Sequence, residues 1–494
     1  MQITAEQQDI IQCDLEPGQI LKVMAFAGTG KTTTLVEYAR QRPQTQFLYI
    51  AFNKSVQLEA AAKFPSNVTA RTSHALAFRA KGHPHKERLV PGFRANLVMD
   101  ALELTQVEDA RFAMETLNAY LVSADAKVTK RHIPGKAHAF YQTQGRSMPD
   151  LVEMANHLGR LMCKGGNDNV GMLHDGYLKL FQLSKPVLPY DCILLDEAQD
   201  INPVTADLVL SQADPALRFR PASIIMVGDN HQQIYSFRGA RDTLKTLSAD
   251  HTRYLTQSFR FDNNVARVAN MVLDEYKGET RPIRGTPVHR DKKPAWDNKN
   301  YTIIARTNAA LFDKAVGLYR KDKIAFVGGI GGYRMDILKD VFRLFNQDRE
   351  QIRDPFVKGF DSFSDLRSYA RTVEDMEMLS VCAVVEKYTA AIPKHVDGLR
   401  EKAVEPDQAQ VTLTTAHKAK GLEWDHVLLM DDFTPLMQDD KLKSSQGADP
   451  DEYNLIYVAM TRARINLRFH KESDIPAFIR LYQKRKKAGG PGRR

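Results

Sequence analysis

The sequence predicts an α/β protein made of two tandem parallel-sheet cores, each carrying a mostly helical insertion. Three observations lead there. The chain has 494 residues, several times the ~100–150 residues of a common domain. Short apolar runs alternate with amphipathic stretches along most of it, the rhythm of parallel sheets covered by helices. That rhythm breaks twice, over 89–169 and 335–406, where the apolar spacing is helical.

Taken in order, strands are expected at 20–25, 47–52, 192–196 and 224–228 in the first core, and at 301–305, 411–414 and 427–430 in the second. The domain plan follows. Residues 1–88 and 170–250 form the first core around the insertion 89–169. Residues 251–334 and 407–483 form the second around the shorter insertion 335–406, and 484–494 is a flexible basic tail. The stretch 278–300, rich in Pro and charge, and the polar stretch 437–451 predict surface loops.

Composition narrows the class. Hydrophobic residues make up 43% and charged residues 26%, as in ordinary globular proteins. No apolar run approaches the ~18 residues of a membrane span. The first seven residues lack the basic and apolar regions of a signal peptide. The expectation is a cytosolic protein, nucleoid-associated if bacterial, with no membrane partner. Cys13, Cys163, Cys192 and Cys382 show no metal-ligand spacing. The net charge of +9 favours a polyanionic partner, because Lys and Arg release condensed counterions on meeting phosphates. The basic stretch 127–136 and the tail are open to the same reading, or to simple solubility.

Two motifs carry chemistry. Ala25-Phe26-Ala27-Gly28-Thr29-Gly30-Lys31-Thr32 follows an apolar strand and opens a helical stretch. Glycines let backbone N–H groups wrap phosphates, and the helix N-terminus adds its dipole. Lys31 is expected on the β- and γ-phosphates, and the Thr32 hydroxyl on Mg²⁺. Ala27, Gly28, Thr29, Gly30 and Thr33 complete the cradle for ATP. Downstream, Ile193-Leu194-Leu195-Asp196-Glu197-Ala198-Gln199-Asp200 is an apolar strand ending in carboxylates. Asp196 is expected to hold Mg²⁺, and Glu197 to activate the attacking water as general base.

With these motifs in hand, the chain resembles the superfamily 1 DNA helicases of the UvrD/Rep group over nearly its whole length. The resemblance implies RecA-like cores, ATP bound between them and travel along single-stranded DNA, 3′→5′, toward single-strand–duplex junctions. Repair and recombination are the associated processes. Gln7, in Ile3-Thr4-Ala5-Glu6-Gln7, would read adenine. In the run Gly228–Ala240, written out as Gly-Asp-Asn-His-Gln-Gln-Ile-Tyr-Ser-Phe-Arg-Gly-Ala, Gln232 would sense the γ-phosphate. Tyr235 and Phe237 would stack on bases, with Arg238 beside them. Arg260, in Gln257-Ser258-Phe259-Arg260, would touch the γ-phosphate. In Thr415-Ala416-His417-Lys418-Ala419-Lys420-Gly421-Leu422-Glu423-Trp424, Glu423 would meet the ribose, and His417 and Lys420 the DNA. Arg462, in Tyr457-Val458-Ala459-Met460-Thr461-Arg462-Ala463-Arg464, would be the arginine finger; Arg464 is expected on the same helix.

Within that group the flavour is similar to the F-box DNA helicase branch, on Ala51-Phe52-Asn53-Lys54-Ser55 and Thr72-Ser73-His74-Ala75-Leu76-Ala77-Phe78. Phe52, Asn53, Lys54 and His74 would then contact DNA. No F-box segment stands ahead of Gln7, so ubiquitin-ligase function is not part of the expectation. By residue type alone, Phe52, Tyr235 and Phe237 also fit core aromatics, Arg260 a surface ion pair and His74 a packed histidine. Rival functions are an RNA helicase, a translocase that strips proteins from DNA, and an inactive nucleotide-gated scaffold.

Overall fold

A computed structural model describes residues 3–164, 170–234, 243–287, 300–372, 375–445 and 449–488. They form two compact units, Met1–Phe26 with Gly30–Leu255, and Ala27–Thr29 with Thr256–Arg494.

The first unit is built on a six-stranded sheet. Its order is Val68–Thr72, Phe47–Ala51, Cys192–Leu195, Ser223–Gly228, Ile20–Ala25, His251–Leu255. Every pairing is parallel. Side chains alternate across a strand, and here both faces are buried. Leu48, Ile50, Ile193, Leu195, Ile224 and Met226 enter one core. Phe47, Tyr49, Ala51, Cys192, Leu194, Ile225 and Val227 enter the other. Burial on both faces is why these strands look like unbroken apolar runs. The first insertion is helical, with Val107–Leu121 and Leu151–Lys164 as its longest helices. Ala110, Leu117, Leu158 and Met162 from these helices share the core that receives Leu48 and Ile193.

The second unit carries a five-stranded sheet, also wholly parallel. Its order is Ile324–Phe326, Val411–Thr415, Tyr301–Ala305, Trp424–Leu429, Ala463–Phe469. Helices Asp336–Phe345, Met376–Tyr388 and Ile392–Lys402 lie in its insertion. They pack Leu338, Val341, Val385, Val396 and Leu399 into one cluster with Ile303 and Leu413. Among the described residues no helix is long and apolar enough to cross a membrane.

Two expectations change. The strand His251–Leu255 pairs with Ile20–Ala25, so it belongs to the first sheet rather than opening the second core. The basic run Lys484–Lys487 is not a flexible tail. It is the last turn of the helix Ile475–Lys487, where cations meet the negative end of the helix dipole. Arg485 pairs with Glu275 at 3.1 Å and Lys486 with Asp274 at 2.9 Å.

Candidate active site

The phosphate loop leaves the strand Ile20–Ala25 and enters the helix Lys31–Arg40. Gly28 and Gly30 have φ of 74° and 77°, a left-handed backbone that a side chain would strain. No side chain caps this helix; its first N–H groups suit a phosphate instead. Ala27 and Thr29 are buried and Thr33 is exposed on the first turn.

The loop meets the acidic strand end directly. Lys31 Nζ lies 3.0 Å from each Glu197 carboxylate oxygen. The Thr32 hydroxyl donates to Asp196 Oδ2 at 3.2 Å. Burial alone would lower the Lys31 pKa, but attraction to Glu197, Asp196 and Asp229 outweighs it and holds the ammonium charged. Burial, and then the Glu197 charge, push the Asp196 carboxyl above the usual range. Glu197 itself sits at φ 49°, an uncommon conformation for a residue with a side chain. A hydroxyl and a buried carboxylate form the hard-oxygen donor set that Mg²⁺ takes. A dication beside Asp196 would also relieve the burial that disfavours its charge. Thr32 and Asp196 therefore fit the expected metal.

Behind these groups stand three residues whose roles sequence reasoning missed. The Tyr49 hydroxyl donates to Asp196 Oδ2 at 2.8 Å. Burial, then the Asp196 charge, raise the phenol pKa far above its ordinary value, so it remains a donor. Gln199, fully buried, donates through Nε2 to Glu197 Oε2 at 2.6 Å and to Asp200 Oδ2 at 3.0 Å. Its Oε1 accepts the Asp229 N–H at 3.0 Å. Asp229 Oδ2 in turn accepts from the Gln232 amide at 2.7 Å. The only signal for Gln199 was its place inside the acidic motif. Tyr49 stands 147 residues from its partner, within an unremarkable apolar run.

Gln7 is buried on the same unit. Its Nε2 donates to Thr34 Oγ1 at 3.2 Å and its Oε1 accepts the Thr4 N–H at 3.0 Å. Phe52, in the bend that follows the strand Phe47–Ala51, is 44% exposed. With His74, Asp175 and Asp196 it lines a cavity of about 270 Å³. His74 Nε2 lies 3.3 Å from Asp175 Oδ1. A larger cavity of about 900 Å³, beside the first insertion, shares Asp175 and Val122 with the smaller one. Asn53 caps the helix Lys54–Lys63 by accepting the Val56 N–H at 2.9 Å, and Lys54 reaches Gln57 at 2.8 Å. Tyr235, Phe237 and Arg238 lie outside the described residues.

In the second unit Arg260 Nε donates to Glu423 Oε2 at 2.8 Å. Glu423 also lies 3.8 Å from Arg464. Arg462 is buried; its Nε donates to Val458 O at 2.9 Å, its Nη1 to Leu422 O at 3.2 Å and its Nη2 to the Thr461 hydroxyl at 3.1 Å. The expectation that Arg462 and Arg464 share a helix is overturned. The helix Pro450–Met460 ends before both, with Thr461 as its cap, and Arg464 lies on the strand Ala463–Phe469. The Thr461 hydroxyl donates back to the Tyr457 and Val458 carbonyls, satisfying the last turn so the chain can leave it. His417 and Lys420 are partly exposed around the short helix Ala416–Ala419. Between them Lys418 lies 4.0 Å over the Tyr333 ring.

Comparison with known proteins accords with this geometry. Residues 7–238 match an AAA domain family, and residues 337–473 match the UvrD-like helicase C-terminal domain. The chain is 37% identical to F-box DNA helicase 1 of Gallus gallus over 499 aligned residues, covering 94% of this chain and 48% of that protein. It is 31% identical to F-box DNA helicase protein 1 of Schizosaccharomyces pombe, covering 94% and 57%. Against DNA helicase IV of Escherichia coli K12 the identity is 23%, covering 92% and 67%. The chain thus spans about half the length of the first two relatives.

Proposed function

Because this chain belongs to the UvrD-like helicases, we propose that it is an ATP-driven motor on single-stranded DNA that moves 3′→5′ and opens duplexes at junctions. One observation carries the reading: Lys31 and Thr32 meet Glu197 and Asp196 within 3.2 Å. Those four side chains are what phosphoryl transfer to water asks of this unit.

In this reading the triphosphate takes Lys31 from Glu197. Glu197 is then placed to accept a proton from the attacking water, while Gln199 keeps its carboxylate aimed. Thr32 and Asp196 would hold Mg²⁺, which would supply charge neutralisation for the transfer. Gln7 serves the adenine and Gln232 reports on the γ-phosphate through Asp229. Arg260 and Arg462 are the arginines the resemblance assigns to the transferring phosphoryl group, and Glu423 the residue it assigns to the ribose. Phe52, Asn53, Lys54, His74, His417 and Lys420 are the candidate DNA contacts, with Tyr235 and Phe237 as stacking faces and Arg238 beside them. Stacking tolerates any base, at about 1–3 kcal/mol each, as a motor crossing every sequence requires.

The test is strand displacement on DNA duplexes carrying 3′ or 5′ tails, with RNA versions alongside. Unwinding of 3′-tailed DNA, abolished in Lys31→Ala and Glu197→Gln, is the expected result. Removal of a bound protein without strand separation would instead mark a stripping translocase, and preference for RNA tails would refute the polymer. Near-normal ATP turnover in either variant would overturn the site assignment.

A further inference from the structure

Tyr49 is a buried group hydrogen-bonded to Asp196 that the mechanism above leaves without a task. It stands in the middle of the strand Phe47–Ala51, between Val68–Thr72 and Cys192–Leu195. The pairing sets Tyr49 beside Leu194, two residues before Asp196. Its face of the strand is shared with Phe47 and Ala51, so the ring points to the side on which the phosphate-loop helix packs. The hydroxyl then reaches Asp196 Oδ2 at 2.8 Å.

The carboxylate is held at three points. Oδ2 receives the Tyr49 and Thr32 hydroxyls, and Oδ1 receives the Glu197 N–H at 2.9 Å. Two of those donors lie within the motifs themselves. Tyr49 comes from a different strand and approaches from within the core, and its ring is itself held against Phe64 at 4.8 Å. We propose that Tyr49 is a positioning residue whose hydroxyl orients the Asp196 carboxylate for a divalent cation, tuning how tightly the cation–nucleotide pair is held. The proposal rests on the reading of Thr32 and Asp196 as the metal donors. Three residues further along the same run, Phe52 lines the cavity that contains Asp196. A shift of this strand would therefore move the metal carboxylate and the strand-facing aromatic together.

Partners that orient metal ligands typically change metal affinity about 10–100-fold when removed. Tyr49→Phe deletes only the hydroxyl. The experiment titrates Mn²⁺ into the full chain with ADP, reading free Mn²⁺ by its paramagnetic resonance, and measures ADP binding in chelator beside it. Tyr49→Phe is expected to weaken Mn²⁺ binding about tenfold, to leave chelator-state ADP binding unchanged, and to regain ATP turnover at saturating Mg²⁺. Phe64→Leu, which loosens the ring and keeps the hydroxyl, is expected to move Mn²⁺ affinity the same way by less. Equal Mn²⁺ affinity in the wild type and Tyr49→Phe overturns the proposal, as does a turnover loss that Mg²⁺ does not rescue. A wild-type chain that binds no Mn²⁺ with ADP would instead defeat the underlying site assignment.

Discussion

Gly228 ends the strand Ser223–Gly228, and its lack of a side chain is a requirement of Gln199. A Cβ built there would lie 2.2 Å from Gln199 Oε1, 2.6 Å from Leu244 Cδ1 and 3.1 Å from the Ala198 nitrogen. Ordinary contact begins near ~3.4 Å, so Gly228→Ala must drive the Gln199 amide back by roughly 1 Å. That amide cannot yield without breaking what it holds, since its oxygen accepts the Asp229 N–H and its nitrogen aims Glu197. Overpacking typically costs about 1–3 kcal/mol, and a buried N–H left without its acceptor about as much. A loss of roughly 2–4 kcal/mol in stability is expected. The rate should suffer more, because a ~1 Å misplacement near the chemistry commonly costs ~10²-fold. The assay is phosphate release stimulated by single-stranded DNA, paired with the melting midpoint. Gln199→Ala in the Gly228→Ala background removes the closest of the three contacts but leaves Leu244 crowded and the Asp229 N–H without its acceptor, so it should recover only part of the midpoint and none of the rate, a coupling that a double-mutant cycle isolates. Wild-type turnover and midpoint in Gly228→Ala would refute the claim that Gln199 positions Glu197. So would a double variant that recovers full turnover.

Two further outcomes follow from charged groups. Arg260→Ala should lower DNA-stimulated turnover about 10³-fold or more while shifting the melting midpoint little, since its pair with Glu423 is partly exposed; turnover within tenfold of wild type would leave Arg260 as an ion pair alone. Lys179 is buried, donates to the Ser123 and Asp125 carbonyls, and has its pKa lowered by burial from 10.5 to about 8, against the pull of Asp207 and Asp125. The folded protein therefore sheds this proton before the unfolded chain does. Stability should rise as pH climbs from 8 toward 10.5, by about 3 kcal/mol at most, and be lost as pH falls through 8. The melting midpoint of wild type, taken relative to Lys179→Met, should increase between pH 7.5 and 9.5; a flat difference would contradict the assignment.

What the sequence made legible, and what it hid, follows from burial. Strands covered on both faces, such as Phe47–Ala51 and Cys192–Leu195, appear as continuous apolar runs and were found within one residue of their observed bounds. The four strands of the two main sheets that escaped notice, Val68–Thr72, His251–Leu255, Ile324–Phe326 and Ala463–Phe469, are the four edges of those sheets. An edge strand pairs on one side only. Three of these carry polar or charged residues accordingly, and the fourth is three residues long. The same logic divides the site. Lys31, Thr32, Asp196 and Glu197 announce themselves because their motifs are local. Tyr49 acquires its meaning only when the sheet sets its strand beside Cys192–Leu195. Arg462 shows the converse: its motif is local, but its turn off the helix is set by the Thr461 cap.

The strand Phe47–Ala51 also fixes where the chain can change length. Its pleat acts as a two-step phase: Tyr49 faces Asp196, Leu48 and Ile50 face the opposite core, and Phe52 emerges at the end. One residue inserted between 47 and 52 would invert that phase, turning an aliphatic residue toward the Asp196 carboxylate and a phenol into the apolar core that the first insertion shares. Two residues would restore the phase but carry Phe52 about 7 Å further along, beyond the cavity it lines. Variation in length must therefore gather outside this strand, in the turns before Phe47 and after the helix Lys54–Lys63, where no phase has to be kept.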